Sequence, residues 1–266
     1  MEEVKEVRKC DLSVNNIVDV SMLKDMVQLT YLNLAKNKIK ALTVFTQEDL
    51  FPNLKWLDVS NNKITDMPAF KLPKLEYLDI SYNKLDRIND LWAGHANIRV
   101  FKSVDNKFKA LSQFKAMPKL EQLYLANNMI TALTGWDGMP ALKKLHLRRN
   151  KVEKIDEELI PLESLEYINL RGNKIANMET LERIYKNPNC LDINVLNNPI
   201  ETSASSFNIL LADCLVKNPK LKRFCKVEIT ETHKLEAVYL GQYKWGKKEE
   251  ERKRKLKEDA AKNPDE

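Results

Sequence analysis

The side chains with a capacity for chemistry are few, and their spacing does not favour it. His95, His146 and His233 stand in three different contexts, each without a nucleophile or a second metal ligand at a recognisable separation. Asp58 and Asp79 occupy the same place in two successive copies of a short phrase, so strand pairing would set two carboxylates side by side, as general acid–base catalysis requires. A solvated polar face produces that pattern far more commonly. Cys10, Cys190, Cys214 and Cys225 form no CxxC pair and no zinc spacing, and read as free, buried thiols of a reducing compartment. Gly135, Gly138, Gly172, Gly241 and Gly246 are scattered, with no GxGxxG and no P-loop to cradle a phosphate. No catalytic residue, no metal ligand and no cofactor is assigned, and the chain is expected not to be an enzyme.

The densest run of positive charge is "ALKKLHLRRNKVEKI", residues 141–155, where Lys143, Lys144, His146, Arg148 and Arg149 alternate with leucines. Such a run is either a phosphate grip or one turn of a scaffold whose charges face water. The net charge of +6 in 266 residues is partly a tail effect, because residues 244–262 carry nine Lys/Arg against five Asp/Glu. The body is only mildly basic. The opening "MEEVKEVRKC" has charges where a secretory signal needs an apolar core, and no stretch reaches membrane-spanning length. A soluble, cytoplasmic protein with no membrane contact is expected.

What must position these residues is a repeat. Asn15, Asn37, Asn62, Asn83, Asn106, Asn128, Asn150, Asn173 and Asn198 recur at intervals of 21 to 25 residues, each closing the phrase L-x-x-L-x-L-x-x-N-x-I/L. "LTYLNLAKNKI", "LKWLDVSNNKI", "LEYLDISYNKL", "LEQLYLANNMI" and "LEYINLRGNKI" are five of the nine copies. Alternation in mid-phrase makes a short strand with its leucines on one side, and the asparagine amide follows where the chain turns inward among backbone groups that need partners. The expected fold is therefore α/β: a leucine-rich-repeat solenoid with a parallel concave β-sheet, short convex helices or turns, a C-terminal cap and a projecting helix. Ser103 replaces a strand leucine in the fifth copy, and Cys190 opens the ninth; neither is assigned a chemical role.

Three units follow: residues 1–225 as solenoid with C-terminal cap, 226–243 as a wrapping segment and 244–266 as a charged helical tail. Phe207, Leu210, Leu211, Cys214 and Leu215 recur at helical spacing and cover the last coil, with "NPKLKRF" continuing the seam. In the tail, Glu249, Glu250 and Glu251 each precede a basic residue by four positions, and there is almost no apolar face to bury.

Between the strand leucines lie the residues of the concave surface. One column holds Tyr31, Trp56, Tyr77 and, further along, Tyr167; the next holds Asp11, Asp58, Asp79, Lys102, Tyr124 and His146. Aromatic and acidic types gather early, and Lys144, His146, Arg148, Arg149 and Arg171 gather in copies seven and eight. Tyr31, Trp56, Tyr77, Tyr124, Lys144, His146, Arg148, Arg149, Tyr167 and Arg171 are the candidate partner-binding residues, the basic group suiting an acidic segment. Separation of aromatics from cations favours a protein partner over nucleic acid.

"LYLANNM", "LKKLHLRRNKVEKI", "LEYINLRGNKIANMETLERI", "VLNNPIETSASSF" and "NPKLKRF" resemble the corresponding run of the leucine-rich repeat-containing protein 23 family, most distinctively over residues 120–225. The resemblance implies a non-enzymatic scaffold of the cytoskeleton in motile cilia and flagella, part of a large axonemal hetero-complex with other radial-spoke proteins at the head of the third spoke. Adapters of ribonucleoprotein, phosphatase or dynein complexes share the short repeat and remain the alternative.

Overall fold

A computed structural model of the protein describes residues 5–135, 138–155, 162–203 and 206–262. Residues 1–4 of the expected solenoid and 263–266 of the expected tail lie outside the described residues.

Nine three-residue strands recur with the repeat: β1 (Lys9–Asp11), β2 (Tyr31–Asn33), β3 (Trp56–Asp58), β4 (Tyr77–Asp79), β5 (Val100–Lys102), β6 (Gln122–Tyr124), β8 (Lys144–His146), β10 (Tyr167–Asn169) and β11 (Asp192–Asn194). They pair in parallel in that order, each in register with the next, as Leu32, Leu57, Leu78 and Phe101 show. At a spacing of ~4.8 Å the nine span about 40 Å. The middle residue of every strand from β2 to β11 is buried, and its two neighbours line the concave side. The convex side carries 3-10 turns at Ser21–Asp25, Thr43–Thr46 and Leu111–Gln113, the small pair β7 (Ala132–Leu133) and β9 (Lys154–Ile155), and helix α1 (Met178–Ile184).

Burial of strand leucines would fail without a way to satisfy the backbone that turns inward after each strand, and the asparagines supply it. From Asn37 to Asn198, each Oδ1 accepts the N–H two residues past the preceding coil's asparagine, as in Ile39→Asn62 at 3.0 Å and Phe108→Asn128 at 3.0 Å. Each Nδ2 donates to a carbonyl of the preceding coil, as Asn150 does to Leu125 O at 2.8 Å. Asn15, in the first coil, is exposed and, among the described residues, bonds Leu12 and Ser13 of its own coil. Ser103 has a part in this ladder: its Oγ accepts from Asn106 and its carbonyl accepts from Asn128. A second, shorter version sits on the convex side, where buried Asn187 accepts from Leu162 N at 2.7 Å.

The residue before every ladder asparagine is left-handed: Val14, Lys36, Asn61, Tyr82, Asp105, Asn127, Arg149, Gly172 and Asn197 all have φ between 53° and 69°. Non-glycine residues resist that region by about 1–2 kcal/mol. In eight of the nine it is held because the same residue's N–H reaches the next coil's carbonyl, as Tyr82 does to Val104 at 2.7 Å and Arg149 to Arg171 at 2.8 Å, while Asn197 N donates to Glu201 Oε2 at 2.7 Å. The left-handed turn thus extends the inter-coil ladder past the strand's end.

The C-terminal end is closed by α2 (Pro199–Ser203), α3 (Phe207–Lys217) and a short hairpin. Leu210, Leu211, Cys214 and Leu215 of α3 cover the last coil. "KRF" contributes a tenth parallel strand, β12 (Arg223–Phe224), which β13 (Val227–Glu228) caps antiparallel through a turn with Cys225 and Lys226 both at positive φ. A two-residue antiparallel edge leaves little open ladder for another chain to extend. Helix α4 runs without a break over Glu231–Lys262, through the 243/244 boundary expected between wrapping segment and tail. The reason is packing: buried Ala237, partly buried Leu240 and the bare Cα of Gly241 lie against α3, and Lys244 ends that seam on Asp213 at 2.5 Å. Beyond it the helix is charged, with Glu249 paired to Arg252. All four cysteines are free, and only Cys10 is partly accessible.

Stability should follow the ladder. Asn128→Ala strands Phe108 N and the Ser103 carbonyl in a dry interior and should cost about 3 kcal/mol or more in urea denaturation. Asn15→Ala, exposed in the first coil, should cost below about 0.5 kcal/mol. Leu147→Ala, which opens a cavity at a side chain with 0% exposure, should cost about 2–5 kcal/mol.

Candidate functional site

The concave side chains form one continuous stack. Tyr31 and Trp56 lie 4.2 Å apart between ring centres at 12°, and Trp56 and Tyr77 lie 4.8 Å apart at 7°. Parallel register sets them in a row, since Tyr31, Trp56 and Tyr77 are Cα partners on β2, β3 and β4. On β5 that place belongs to Val100, and the stack changes column: the Lys102 ammonium sits 5.1 Å from the Tyr77 ring and 5.6 Å from the Tyr124 ring. Tyr124 stacks on His146 at 4.4 Å and 14°, and His146 meets Tyr167 at 5.0 Å. Offset ring pairs and the ammonium–ring contacts fix these side chains before any partner arrives.

The structure brings Tyr31, Trp56, Tyr77, Tyr124, His146 and Tyr167 together, with Lys144 beside them. Tyr124, Lys144, His146 and Tyr167 share a hollow of about 580 Å³ with Glu166, Asp192, Asn194, Arg223 and Lys226. Arg148, Arg149 and Arg171 are not in it. They lie in the turns after β8 and β10, and Arg149 is the left-handed residue of its coil, so its position is set by backbone geometry. The expected separation of aromatics from cations is not what the fold produces: Lys102 sits inside the aromatic row, and Arg223 and Lys226 arrive from the C-terminal hairpin.

The acidic column has a structural use. Asp11, Asp58 and Asp79 each accept, through Oδ1, the N–H two residues on, at 2.9, 2.8 and 2.9 Å. Asn33, Asn169 and Asn194 do the same in their coils. These are Asx turns that start the inward bend, so Asp58 and Asp79 are not merely solvated. Burial raises Asp58, with the Asp79 charge adding to it against the bonds from Ser60. Burial with Asp79 and Asp58 pushes the Tyr77 hydroxyl far above its usual range. Among the described residues no group of three His, Cys, Asp or Glu is placed to hold a metal ion.

Lys102, Glu166, Asp192, Arg223 and Lys226 are the residues of this face missing from the candidates above. A signal existed for the first, because the Asp/Asn column breaks at 102, 124 and 146. None existed for Arg223 and Lys226, which reach the sheet only through an irregular strand and hairpin.

Burial, reinforced by the Lys144 charge, pulls the His146 imidazole down to about 4. An unfolded histidine takes up its proton near pH ~6.5. Between those values the unfolded chain binds more protons, so stability is full above ~6.5 and is lost as pH falls toward 4. His95, lowered by its own burial, acts in the same direction. His146→Asn should therefore flatten part of the fall in melting temperature between pH ~7 and ~4.5, and proton NMR should show His146 still neutral at pH ~5.5.

Comparison with known proteins agrees with this architecture. The family described as "Leucine Rich repeats (2 copies)" matches residues 52–91, and that described as "Leucine rich repeat" matches residues 104–152 and 136–175. Human leucine-rich repeat-containing protein 23 is 28% identical over 245 residues, 92% of this chain and 69% of that one. Its Bos taurus counterpart is 26% identical, over 87% of this chain and 65% of that one. The chain thus spans about two thirds of the length of these relatives. The crystal structure of the LRIM1/APL1C complex superposes with a TM-score of 0.62 at 17% identity, covering 73% of this chain and 35% of that one. A Leptospira interrogans LRR protein gives 0.58 at 20% identity, covering 84% and 61%. With its strand register, asparagine ladder and repeat-family matches in agreement, the chain folds as a leucine-rich-repeat solenoid and is similar over nine-tenths of its length to leucine-rich repeat-containing protein 23.

Proposed function

We propose that the protein is a non-enzymatic scaffold of the motile-cilium axoneme, a structural component of the radial spoke at the head of the third spoke, holding neighbouring spoke proteins within a large hetero-complex. Two things support it: similarity to leucine-rich repeat-containing protein 23, and a solenoid whose organised polar surface is a face for another macromolecule. The observation that carries the binding reading is the continuous row from Tyr31 to Tyr167. Rigid, half-buried Trp and Tyr side chains lose little entropy on contact and are the commonest anchors of protein interfaces. No described helix is long and apolar enough to cross a membrane, and the reading requires none.

Tagging the protein in a ciliated cell tests the location, and a wholly nuclear or diffuse signal with no axonemal fraction would overturn it. Replacing Trp56 and Tyr77 together by alanine should weaken capture of axonemal partners by about tenfold or more, since two central anchors are lost. The melting temperature of that variant should fall less than that of Leu147→Ala. Unchanged capture would move the interface off the concave face.

A further inference from the structure

Six of the nine coils spend the last strand residue on an Asx turn, and three do not. Lys102, Tyr124 and His146 hold that place in coils five, six and seven, and none of them makes the Oδ1 bond described for the other six. In coil five Val104 N turns to Ser81 Oγ of the preceding coil at 3.0 Å. A stabilising local bond is absent in three consecutive coils, and sites that break a local rule together are where function is to be sought.

The three residues are also one surface. Lys102, Tyr124 and His146 are successive Cα partners across β5, β6 and β8, and they stack on one another as described. Around Tyr124 and His146 stand Lys144, Lys226 and Arg223, with Glu166 and Asp192, while Lys102 lines the adjoining hollow with Asp79 and Tyr124. Arg223 pairs with Asp192 at 3.4 Å and the Lys102 charge acts on Asp58, while among the described residues Lys144 and Lys226 make no ion pair within 4 Å. His146 adds no charge at neutral pH. Tyr124, His146 and the Lys144 and Lys226 ammonium groups therefore share one hollow.

We propose that Lys102, Tyr124 and His146 form the floor of a docking site for an extended acidic segment of a partner protein, whose carboxylates meet Lys102, Lys144 and Lys226. The site rests on the concave-face reading above and deepens it. From β5 to β12 the sheet advances five strands, about 24 Å, a distance that roughly seven extended residues cover. Glu166 selects the class of partner. A nucleic-acid strand carries a phosphate at every step and would be repelled there, whereas a peptide can place an uncharged residue opposite that carboxylate.

Fluorescence anisotropy with a labelled decapeptide of glutamate, glycine and tyrosine tests the site, against a lysine counterpart and a labelled polyuridine ten-mer. The acidic peptide should bind at least tenfold tighter than either. The triple variant Lys102→Asn, Tyr124→Asn, His146→Asn restores the turn-forming residue type, so its melting temperature should equal or exceed that of the parent while its affinity for the acidic peptide falls tenfold or more. Lys144→Gln with Lys226→Gln should also weaken binding without altering the floor. Tighter binding of polyuridine or the lysine peptide, parental affinity in either variant, or a lowered melting temperature of the triple variant would overturn the proposal. Axonemal capture that depends on Trp56 and Tyr77 but ignores the triple variant would sink this site alone; capture indifferent to both sets would sink the concave-face reading.

Discussion

The interior of a stacked coil is packed with apolar side chains, and every turn of the chain drives peptide groups into it. Satisfying those groups is the constraint on which the rest depends, and the ladder from Asn37 to Asn198 meets it with one amide per coil. Each amide serves its own coil and the one before, so no coil is complete alone. That reciprocity locks the register of the strands, and the register in turn lines up side chains of equal rank on the concave face. The aromatic row is a by-product of this order: identical positions in adjacent coils fall one strand spacing apart, close to the distance at which flat rings stack.

The same constraint accounts for which features were legible in the sequence. Asparagine is required for its paired donor and acceptor, so the ladder appears as a spelled period. Strand alternation likewise announces which residues face outward, and Trp56 and Tyr77 could be placed without coordinates. The left-handed turns could not, because the backbone bond that stabilises them accepts Val14, Tyr82 or Arg149 alike. The crossing of the stack from one column to the next depends on the reach of Lys102, which periodicity does not encode. Arg223 and Lys226 enter the face from a tenth strand and its hairpin, after the repeat has ended, so no repeat position marked them.

Charges on this molecule divide by role in a way that composition hides. Asp58 and Asp79 close turns, Arg149 holds a backbone corner, and Lys55 with Glu76 ties adjacent coils at 3.3 Å along one edge. Part of the charge is thus committed to the solenoid itself, and an exposed ion pair of this kind contributes little to stability. On the concave face, Lys144 and Lys226 stand beside Tyr124 and His146.

Among the described residues, helix α4 is the element that extends beyond the stack. At ~1.5 Å per residue its 32 residues extend about 48 Å, and its anchorage on α3 ends at Lys244, so the remaining part reaches roughly 27 Å from that point. A contact made at its far end would act on the solenoid through a lever arm whose fulcrum is the seam of Ala237, Gly241 and Val216. The direction in which the concave face presents itself to its surroundings would then be set by a few small side chains at a hinge, far from any residue that touches a partner.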